Sequence, residues 1–147
     1  MSYRTWSTYG LGICVDDIKT TPERILKLAE MNADTLKDVR KYLDEIYNGS
    51  CRDEDLTLED FDEFEGLYCE RGVAAILYEA INEIPVQYAD DYDGIQYILY
   101  TPTFPWILDI QEKQLTEEDV MDVFRKYVSI LTDEPIVIDY YDVENGG

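Results

Sequence analysis

The sequence predicts an α+β fold, in which four to five helices pack on a small, mostly antiparallel sheet of about four strands. Three observations lead to this prediction. The chain has 147 residues, 46% of them hydrophobic, which suits one domain with its own core. Helix and strand patterns follow each other in the order β-α-α-α-α-β-β-α-β, and a hairpin signal joins the two central strands. We find no internal repeat or linker, so residues 1–147 are expected to form a single domain.

The first strand and the first helix have clear local signals. Residues 8–15, TYGLGICV, alternate large apolar side chains with Gly10, Gly12 and Cys14, which indicates a strand with one face of small residues. Glycine inside a strand often marks a close approach of backbone, so something is expected to pack closely on that face. The sequence TTPE at 20–23 forms a capping box with proline in the first turn, and a helix is predicted to begin there.

Two more helices are predicted before residue 66. The second helix carries apolar residues at spacings of three and four and ends at the turn signal Asn48-Gly49. Its predicted buried residues are Leu36, Val39, Leu43 and Ile46. In the acidic segment 52–65, RDEDLTLEDFDEFE, Thr57 can cap a short helix. The predicted buried residues of that helix are Leu58, Phe61 and Phe64.

The middle of the chain predicts one buried helix and one hairpin. GVAAILYEAINEI at 72–84 has a broad apolar face and is predicted to be the most buried helix, which Pro85 ends. Two strands are predicted at 86–90 and 95–101. The dipeptide Asp93-Gly94 between them is a strong hairpin signal.

The last predicted elements are a loop, a helix and a strand. TPTFPW at 101–106 is a loop broken by proline, with Phe104 and Trp106 as anchors. The final helix is predicted to begin at Thr116, with acidic residues in its first turn, where they suit the helix dipole. PIVIDYYDV at 135–143 is predicted as the last strand, and ENGG as a tail. The predicted buried residues of the final helix are Val120, Val123, Phe124, Tyr127 and Leu131.

The charge of the chain is large and unevenly distributed. The formal net charge at pH 7 is −21. Residues 1–52 hold 8 basic and 8 acidic residues, whereas residues 53–147 hold 4 basic and 25 acidic residues. Such a field repels nucleic acid and anionic membranes and attracts basic surfaces. The charge therefore disfavours direct binding to nucleic acid or to membranes and favours a basic protein as partner.

Residue types that support enzymology are scarce. The chain has no histidine and no glycine-rich phosphate loop, which removes the commonest general base and metal ligand. The hairpin fails the spacing of a calcium loop, because Gly94 in sixth place would put Ala89 first and Tyr100 twelfth. We therefore expect no enzymatic activity, no cofactor and no metal site. Hydrolysis by a carboxylate pair or by carboxylate-bound magnesium stays open as an alternative.

The sequence also predicts where the protein resides. No run approaches the roughly 20 apolar residues of a transmembrane helix, and the N-terminus lacks the apolar region of a signal peptide. The three cysteines, at positions 14, 51 and 69, are odd in number and too far apart for a C-x-x-C site, so neither a disulfide framework nor a zinc knuckle is indicated. We expect free thiols in a soluble, cytoplasmic protein.

The acidic segment has a geometric relation to DNA. If residues 53–70 formed one helix, it would span about 27 Å, and its nine carboxylates would lie about 3 Å apart along the axis. One DNA strand carries a charge roughly every 3.4 Å. This density is an upper limit, because Gly66 is expected to break the helix. A folded acidic surface of this kind can occupy a basic DNA- or RNA-binding groove. The residues predicted to contact such a partner are Asp53, Glu54, Asp55, Glu59, Asp60, Asp62, Glu63, Glu65, Asp90, Asp91 and Asp93.

A second interpretation assigns the charge to solubility alone. The protein would then be a structural or interaction domain without enzymatic activity, which associates through aromatic surface. Tyr127 lies on an apolar stripe and is predicted to be core. The candidate aromatic anchors are Tyr88, Tyr92, Tyr97, Tyr100, Phe104 and Trp106.

Three stretches carry a resemblance to known proteins: YGLGICVDDIKTTPERILKLAEMN, DDYDGIQYILYTP and EPIVIDYY. In them the chain resembles small acidic proteins encoded by phages and prophages of low-GC Gram-positive bacteria. Phage proteins of this size and charge include anti-CRISPR inhibitors, which occupy the DNA-binding or PAM-reading surface of an effector nuclease. The resemblance implies an inhibitor of a CRISPR effector nuclease in the cytoplasm of a bacterial host. It assigns no residue a role, since anti-CRISPR proteins share no common motif.

Overall fold

The computed structural model describes residues 5–50, 52–66, 70–101 and 115–146. Within these ranges it confirms the predicted α+β fold, with five α-helices and one four-stranded antiparallel sheet in the predicted order. None of the helices in these ranges has the length and apolar character needed to span a membrane. The strands are β1 (Thr5–Cys14), β2 (Gln87–Asp90), β3 (Gln96–Tyr100) and β4 (Asp139–Gly146). The helices are α1 (Pro22–Ala29), α2 (Ala33–Tyr47), α3 (Glu59–Asp62), α4 (Val73–Ala80) and α5 (Glu117–Leu131).

The helices cover one face of the sheet. The strand order is β2-β3-β1-β4, and every neighbouring pair is antiparallel. Alternate residues of the two central strands, Leu11, Ile13 and Ile98, point to this face and are buried. Helices α4 and α5 pack on the sheet, α1 packs on both of them, and α2 packs on α1 and α4. This arrangement places α2 on the outside of the molecule, next to the acidic segment.

On the opposite face of the sheet, the two edge strands β2 and β4 come into contact. Asn145 of β4 pairs with the N-terminal end of β1. Asp90, the last residue of β2, lies level with the opposite, C-terminal end of β1. Nevertheless, the Asn145 amide donates to the backbone oxygen of Asp90 at 2.8 Å and to its carboxylate at 3.1 Å. Val143 is buried in the same region, against Ala89 and Leu99. The paired strands β1 and β4 therefore curl back over β2 and β3.

Two glycines of β1 allow the strands to approach closely. Gly10 and Gly12 lie on the closing face, where a Cβ on Gly12 would overlap the carbonyl oxygen of Ile98. A Cβ on Gly10 would overlap the carbonyl oxygen of Tyr100 in the same way. The close approach that the small-residue face predicts is confirmed, and the approaching group is the backbone of β3.

The helix ends follow the capping signals with some shifts. The N-cap of α1 is Thr21, whose hydroxyl accepts the N–H of Arg24 at 3.4 Å, so the predicted box at 20–23 is replaced by a cap one residue later. A complete capping box occurs instead at α5, between Thr116 and Asp119. Helix α2 ends at Tyr47, and its C-cap Asn48 adopts the left-handed conformation with φ of 52°, as the Asn-Gly signal predicts.

Two predicted boundaries are wrong by four residues, and β1 begins at Thr5, three residues before the predicted start. Helix α4 ends at Ala80 and not at residue 84, because Ile81 turns to an extended conformation from which Ile81 and Ile84 both reach the core. The last strand covers Asp139–Gly146 and not 135–143, because its ladder with β1 begins only at the pair of Asp139 with Gly12. Most of the predicted tail ENGG is therefore strand.

Some predicted core positions are also corrected. Ile46 and Leu58 are exposed, and Leu56 is buried in place of Leu58. Val123 and Leu36 are only half-buried. Phe104 and Trp106 lie outside the described residues. The predicted residues that are buried as expected are Val39, Leu43, Phe61, Phe64, Val120, Phe124, Tyr127 and Leu131.

Candidate functional site

The acidic segment consists of two short turns and not of one long helix. A 3-10 turn covers Asp53–Asp55, and α3 is a single helical turn whose N-cap is Leu58, one residue after the predicted Thr57. The chain folds back between the turns because Leu56 and Phe61 are both buried in the core. The charge spacing of a continuous helix over 53–70, which was an upper limit, is therefore not reached, and Glu70, one of the nine carboxylates counted along it, is buried.

Three side-chain contacts hold the segment against α2. The contacts are Arg40 to Asp53 at 2.6 and 3.1 Å, the Tyr47 hydroxyl to the Asp60 carboxylate at 2.5 Å, and the edge-to-face rings of Tyr42 and Phe64 at 5.7 Å between centroids. The first is a bidentate ion pair, and the second is a hydrogen bond to a charged acceptor. Together with the buried side chains of Leu56 and Phe61, these contacts fix the acidic segment against α2.

The contacts also determine the ionisation of two predicted site residues. The hydrogen bond from Arg40 lowers the pKa of the Asp53 carboxyl below its ordinary value. The hydrogen bond from the Tyr47 hydroxyl lowers the pKa of Asp60, and the backbone N–H of Thr57, at 2.7 Å, lowers it further. Both carboxyl groups are therefore charged at neutral pH and already have partners inside the protein.

The remaining carboxylates of the segment face solvent. We call this set of six residues the acidic strip; its members are Glu54, Asp55, Glu59, Asp62, Glu63 and Glu65. All six are exposed, and none forms an ion pair with another described residue. Their field is felt locally, since Glu63 and Asp62 add to the burial that raises the pKa of Tyr42. Within residues 53–65, the acidic strip is the part of the predicted site that is available to a partner.

The hairpin residues of the predicted site differ in their roles. Asp91 organises the turn, because its carboxylate accepts the N–H groups of Asp93 and Ile95 at 2.9 and 3.0 Å. Asp90 accepts the Asn145 amide. Asp93 is exposed at the tip beside Tyr92, which is itself exposed. Of the three, only Asp93 is presented to solvent without such a structural task.

One cleft links the acidic strip to the hairpin. Asp62, Asp16 and Arg71 contribute to the lining of this cleft, whose volume is about 390 Å³, together with Gln96 of β3. Gln96 pairs with Asp90 across the hairpin, and its N–H lies 3.4 Å from the Asp16 carboxylate. Asp16 was not predicted as a site residue, although the acidic pair VDD directly after β1 was a signal for it. The cleft therefore brings Asp62 of the acidic strip and Gln96 of β3 into one lining with Asp16 and Arg71, whereas the predicted hairpin carboxylates are not part of that lining.

The charges near this cleft act on a tyrosine of β2. Burial and then the Asp90 carboxylate raise the pKa of Tyr88 to about 12, while Arg71 opposes the increase. Tyr88 therefore stays neutral at any physiological pH. Its hydroxyl bonds to the side-chain oxygen of Gln96 at 2.9 Å, which ties β2 to β3 below the cleft.

The cations of the first third neutralise little of the acidic surface. Among the ion pairs of the described residues, only Arg40 to Asp53 and Arg24 to Asp133 join this part to later carboxylates. The acidic start of α5, which could have extended the surface, is partly neutralised from within, because Arg125 contacts Glu118 at 3.0 Å and Asp122 at 2.8 Å.

The aromatic candidates are mostly turned inward. Tyr127 is core as predicted, and Tyr88, Tyr97 and Tyr100 are half-buried, so Tyr92 is the one exposed residue among the described candidates. A pair that the sequence analysis missed is more prominent. The rings of Tyr9 and Tyr140 stack at 5.8 Å between centroids. Tyr9 exposes 53% of its surface to solvent, and Tyr140 exposes 43%. Their proximity depends on the register of β1 with β4, which no local signal revealed.

Neither a metal centre nor a family assignment emerges for this surface. In the part of the chain that the structure describes, no three histidine, cysteine, aspartate or glutamate residues form a group that could hold a metal ion. No family model, no curated protein and no solved structure matches the chain.

Proposed function

We propose that the chain is an inhibitor that binds the basic nucleic-acid groove of a host defence protein, with a CRISPR effector nuclease as the partner. The observation that carries the proposal is the acidic strip, six exposed carboxylates without ion pairs among the described residues, on a segment fixed to α2. Carboxylates in this arrangement can take the place of phosphates in front of arginine and lysine side chains. The partner class comes from the resemblance to acidic phage proteins.

The fixed geometry favours mimicry over a role in solubility alone. Charge that only keeps a protein in solution needs no defined arrangement. Here an ion pair, a short hydrogen bond from Tyr47 and two buried side chains fix the backbone that carries the strip. A surface ordered before binding loses less conformational entropy when the complex forms, which favours tight binding.

The proposal is tested with a panel of purified CRISPR effector nucleases, each loaded with guide RNA. Binding is measured by titration calorimetry at several salt concentrations, and target DNA is added as a competitor. We expect the affinity for at least one effector to fall about tenfold or more between about 50 and 200 mM salt, and DNA to displace the protein. Binding that ignores salt and coexists with bound DNA would contradict the proposal, as would the absence of binding to any effector.

The exposed pair Tyr9 and Tyr140 favours a second candidate function, that of an interaction domain that self-associates through aromatic side chains. This function predicts dimers that persist at high salt in analytical ultracentrifugation. Replacing both residues by serine should then yield monomers. A wild-type protein that is monomeric at high concentration and high salt would exclude it.

A further inference from the structure

A groove lies beside the acidic strip, between α1, α2 and the turn Asp53–Asp55. Its volume is about 610 Å³, which is within the usual range of ligand sites. Part of its lining is apolar, since Leu26, Leu56 and Pro22 contribute to it. Leu26 and Leu56 are largely buried by the rest of the protein, so they form a floor and not a projecting patch.

Acidic residues outnumber basic residues around this floor. The lining contains four acidic and two basic residues, namely Glu23, Glu30, Asp53, Glu54, Lys27 and Arg40. Lys27 lies 3.6 Å from Glu23, and Arg40 bonds to Asp53. Glu30 and Glu54 form no ion pair with any described residue. The groove therefore combines an apolar floor with an excess of two carboxylates over cations in its lining, and the field of Glu30 adds to the raised pKa of Arg40, which is due first to the hydrogen bond with Asp53.

We propose that this groove binds an arginine side chain of the basic partner. The inference rests on the proposed function and deepens it by naming the group that is recognised. The methylene stem of arginine can cover Leu26 and Leu56, and its guanidinium can pair with Glu30 and Glu54 at the rim. Lysine suits the groove less well, because its ammonium group is compact and strongly hydrated, whereas guanidinium is planar and more weakly hydrated.

The groove is formed before any partner arrives. The bidentate contact of Arg40 with Asp53 joins α2 to the acidic turn and so fixes two of the walls relative to each other. The side-chain hydrogen bond to Arg40 lowers the pKa of Asp53, which keeps this contact intact at neutral pH. An incoming arginine therefore meets an ordered site and does not have to displace Arg40.

The test uses a blocked hexa-arginine peptide as probe and a blocked hexa-lysine peptide as its control. Each is titrated into the ¹⁵N-labelled full chain at low salt, and amide shifts are followed. We expect hexa-arginine to shift the amides of 23–30 and 53–56, and hexa-lysine to bind several-fold more weakly. The double variant Glu30→Gln, Glu54→Gln should weaken hexa-arginine binding about fivefold. The matched variant Asp38→Asn, Glu45→Gln, which removes two exposed charges from α2, should change it less than about twofold.

Equal binding of both peptides would overturn the inference, and so would equal weakening in both variants. All four substitutions are at exposed positions, so the variants should fold, and circular dichroism checks this. The outcome is separable from that of the proposed function. If no effector nuclease binds but the groove selects arginine, only the proposed function fails. If a nuclease binds in competition with DNA and the groove variant is unaffected in both assays, only the present inference fails.

Discussion

Gly12 is the residue on which the closure of the sheet depends most. Any side chain there would meet the carbonyl oxygen of Ile98, a backbone atom that cannot move without disturbing the ladder between β1 and β3. We predict that Gly12→Ala lowers the free energy of unfolding by at least about 2 kcal/mol. Gly49 serves as control, because it has a φ of 74° but open space around it, and Gly49→Ala should cost about 1 kcal/mol. Urea denaturation measures both, and a smaller loss for Gly12→Ala would contradict the account.

The carboxyls of Asp53 and Asp60 make the acidic segment sensitive to acid. Their pKa values are lowered in the folded protein by Arg40 and Tyr47, respectively. The stabilisation that they contribute is therefore present above the unfolded-state pKa of about 4 and is lost as the pH falls through the lower folded-state values. We predict that the segment stays docked on α2 from neutral pH down to about pH 4 and loosens below it.

Carboxyl titration by ¹³C NMR checks this prediction. Tyr47→Phe should move the pKa of Asp60 towards its ordinary value and leave that of Asp53 unchanged, because the two carboxyls have different donors. An Asp60 that titrates normally in the wild-type protein, or a segment that detaches near pH 7, would show that the docking contact is absent in solution.

Few contacts hold the acidic segment on α2. Removing one of them should therefore loosen the segment locally without unfolding the rest of the protein. Arg40→Met removes the ion pair to Asp53, whose side chain is 60% exposed. We predict that the free energy of unfolding falls by less than about 1 kcal/mol, since exposed ion pairs contribute little. Hydrogen exchange of the amides in 53–56 should nevertheless become faster. Lys41→Met, on the same helix without an ion pair in the described part of the chain, should leave this exchange unchanged. Unaltered exchange in Arg40→Met would contradict a docking role for the ion pair.

The order of helices and strands could be predicted because its signals are local. Apolar spacing defines α2, the Asp93-Gly94 turn defines the hairpin, and acidic residues after Thr116 define the start of α5. The errors occur where contacts with residues distant in sequence determine the limits of an element or the burial of a side chain. The limits of β4 depend on its ladder with β1, and the burial of Leu56 in place of Leu58 depends on how the acidic segment docks on the core.

The candidate site could be located from the sequence only as a region. Carboxylate density singled out the segment after residue 52, but it could not show which carboxylates already have partners. Asp53 and Asp60 bond to residues of α2, and Asp90 bonds to the distant Asn145. The acidic pair after β1 marked Asp16 only as a charged position, and only the folded chain brings it into one cleft with Asp62. Contacts between residues far apart in sequence leave no periodic signal.

The folded chain leaves the acidic strip without ion pairs among the described residues. The balanced first third supplies α1 and α2, and only two of its cations, Arg24 and Arg40, form ion pairs with carboxylates beyond residue 52 among the described residues. The acidic strip thus keeps its charge although eight basic residues precede it in the sequence. A field of this kind both steers a basic partner and sets a strong salt dependence of binding.

The central claim is that the acidic strip, and not the net charge alone, binds the partner. Its most direct test compares two variants that lose the same charge, with affinity for the effector nuclease measured as a function of salt. The strip variant is Asp55→Asn, Glu59→Gln, Asp62→Asn, Glu63→Gln, and the control is Asp38→Asn, Glu45→Gln, Glu134→Gln, Asp142→Asn. We predict that the strip variant binds at least about tenfold more weakly at low salt and with a shallower salt dependence, while the control stays close to wild type. Equal losses of affinity and equal salt slopes in both variants would contradict the claim.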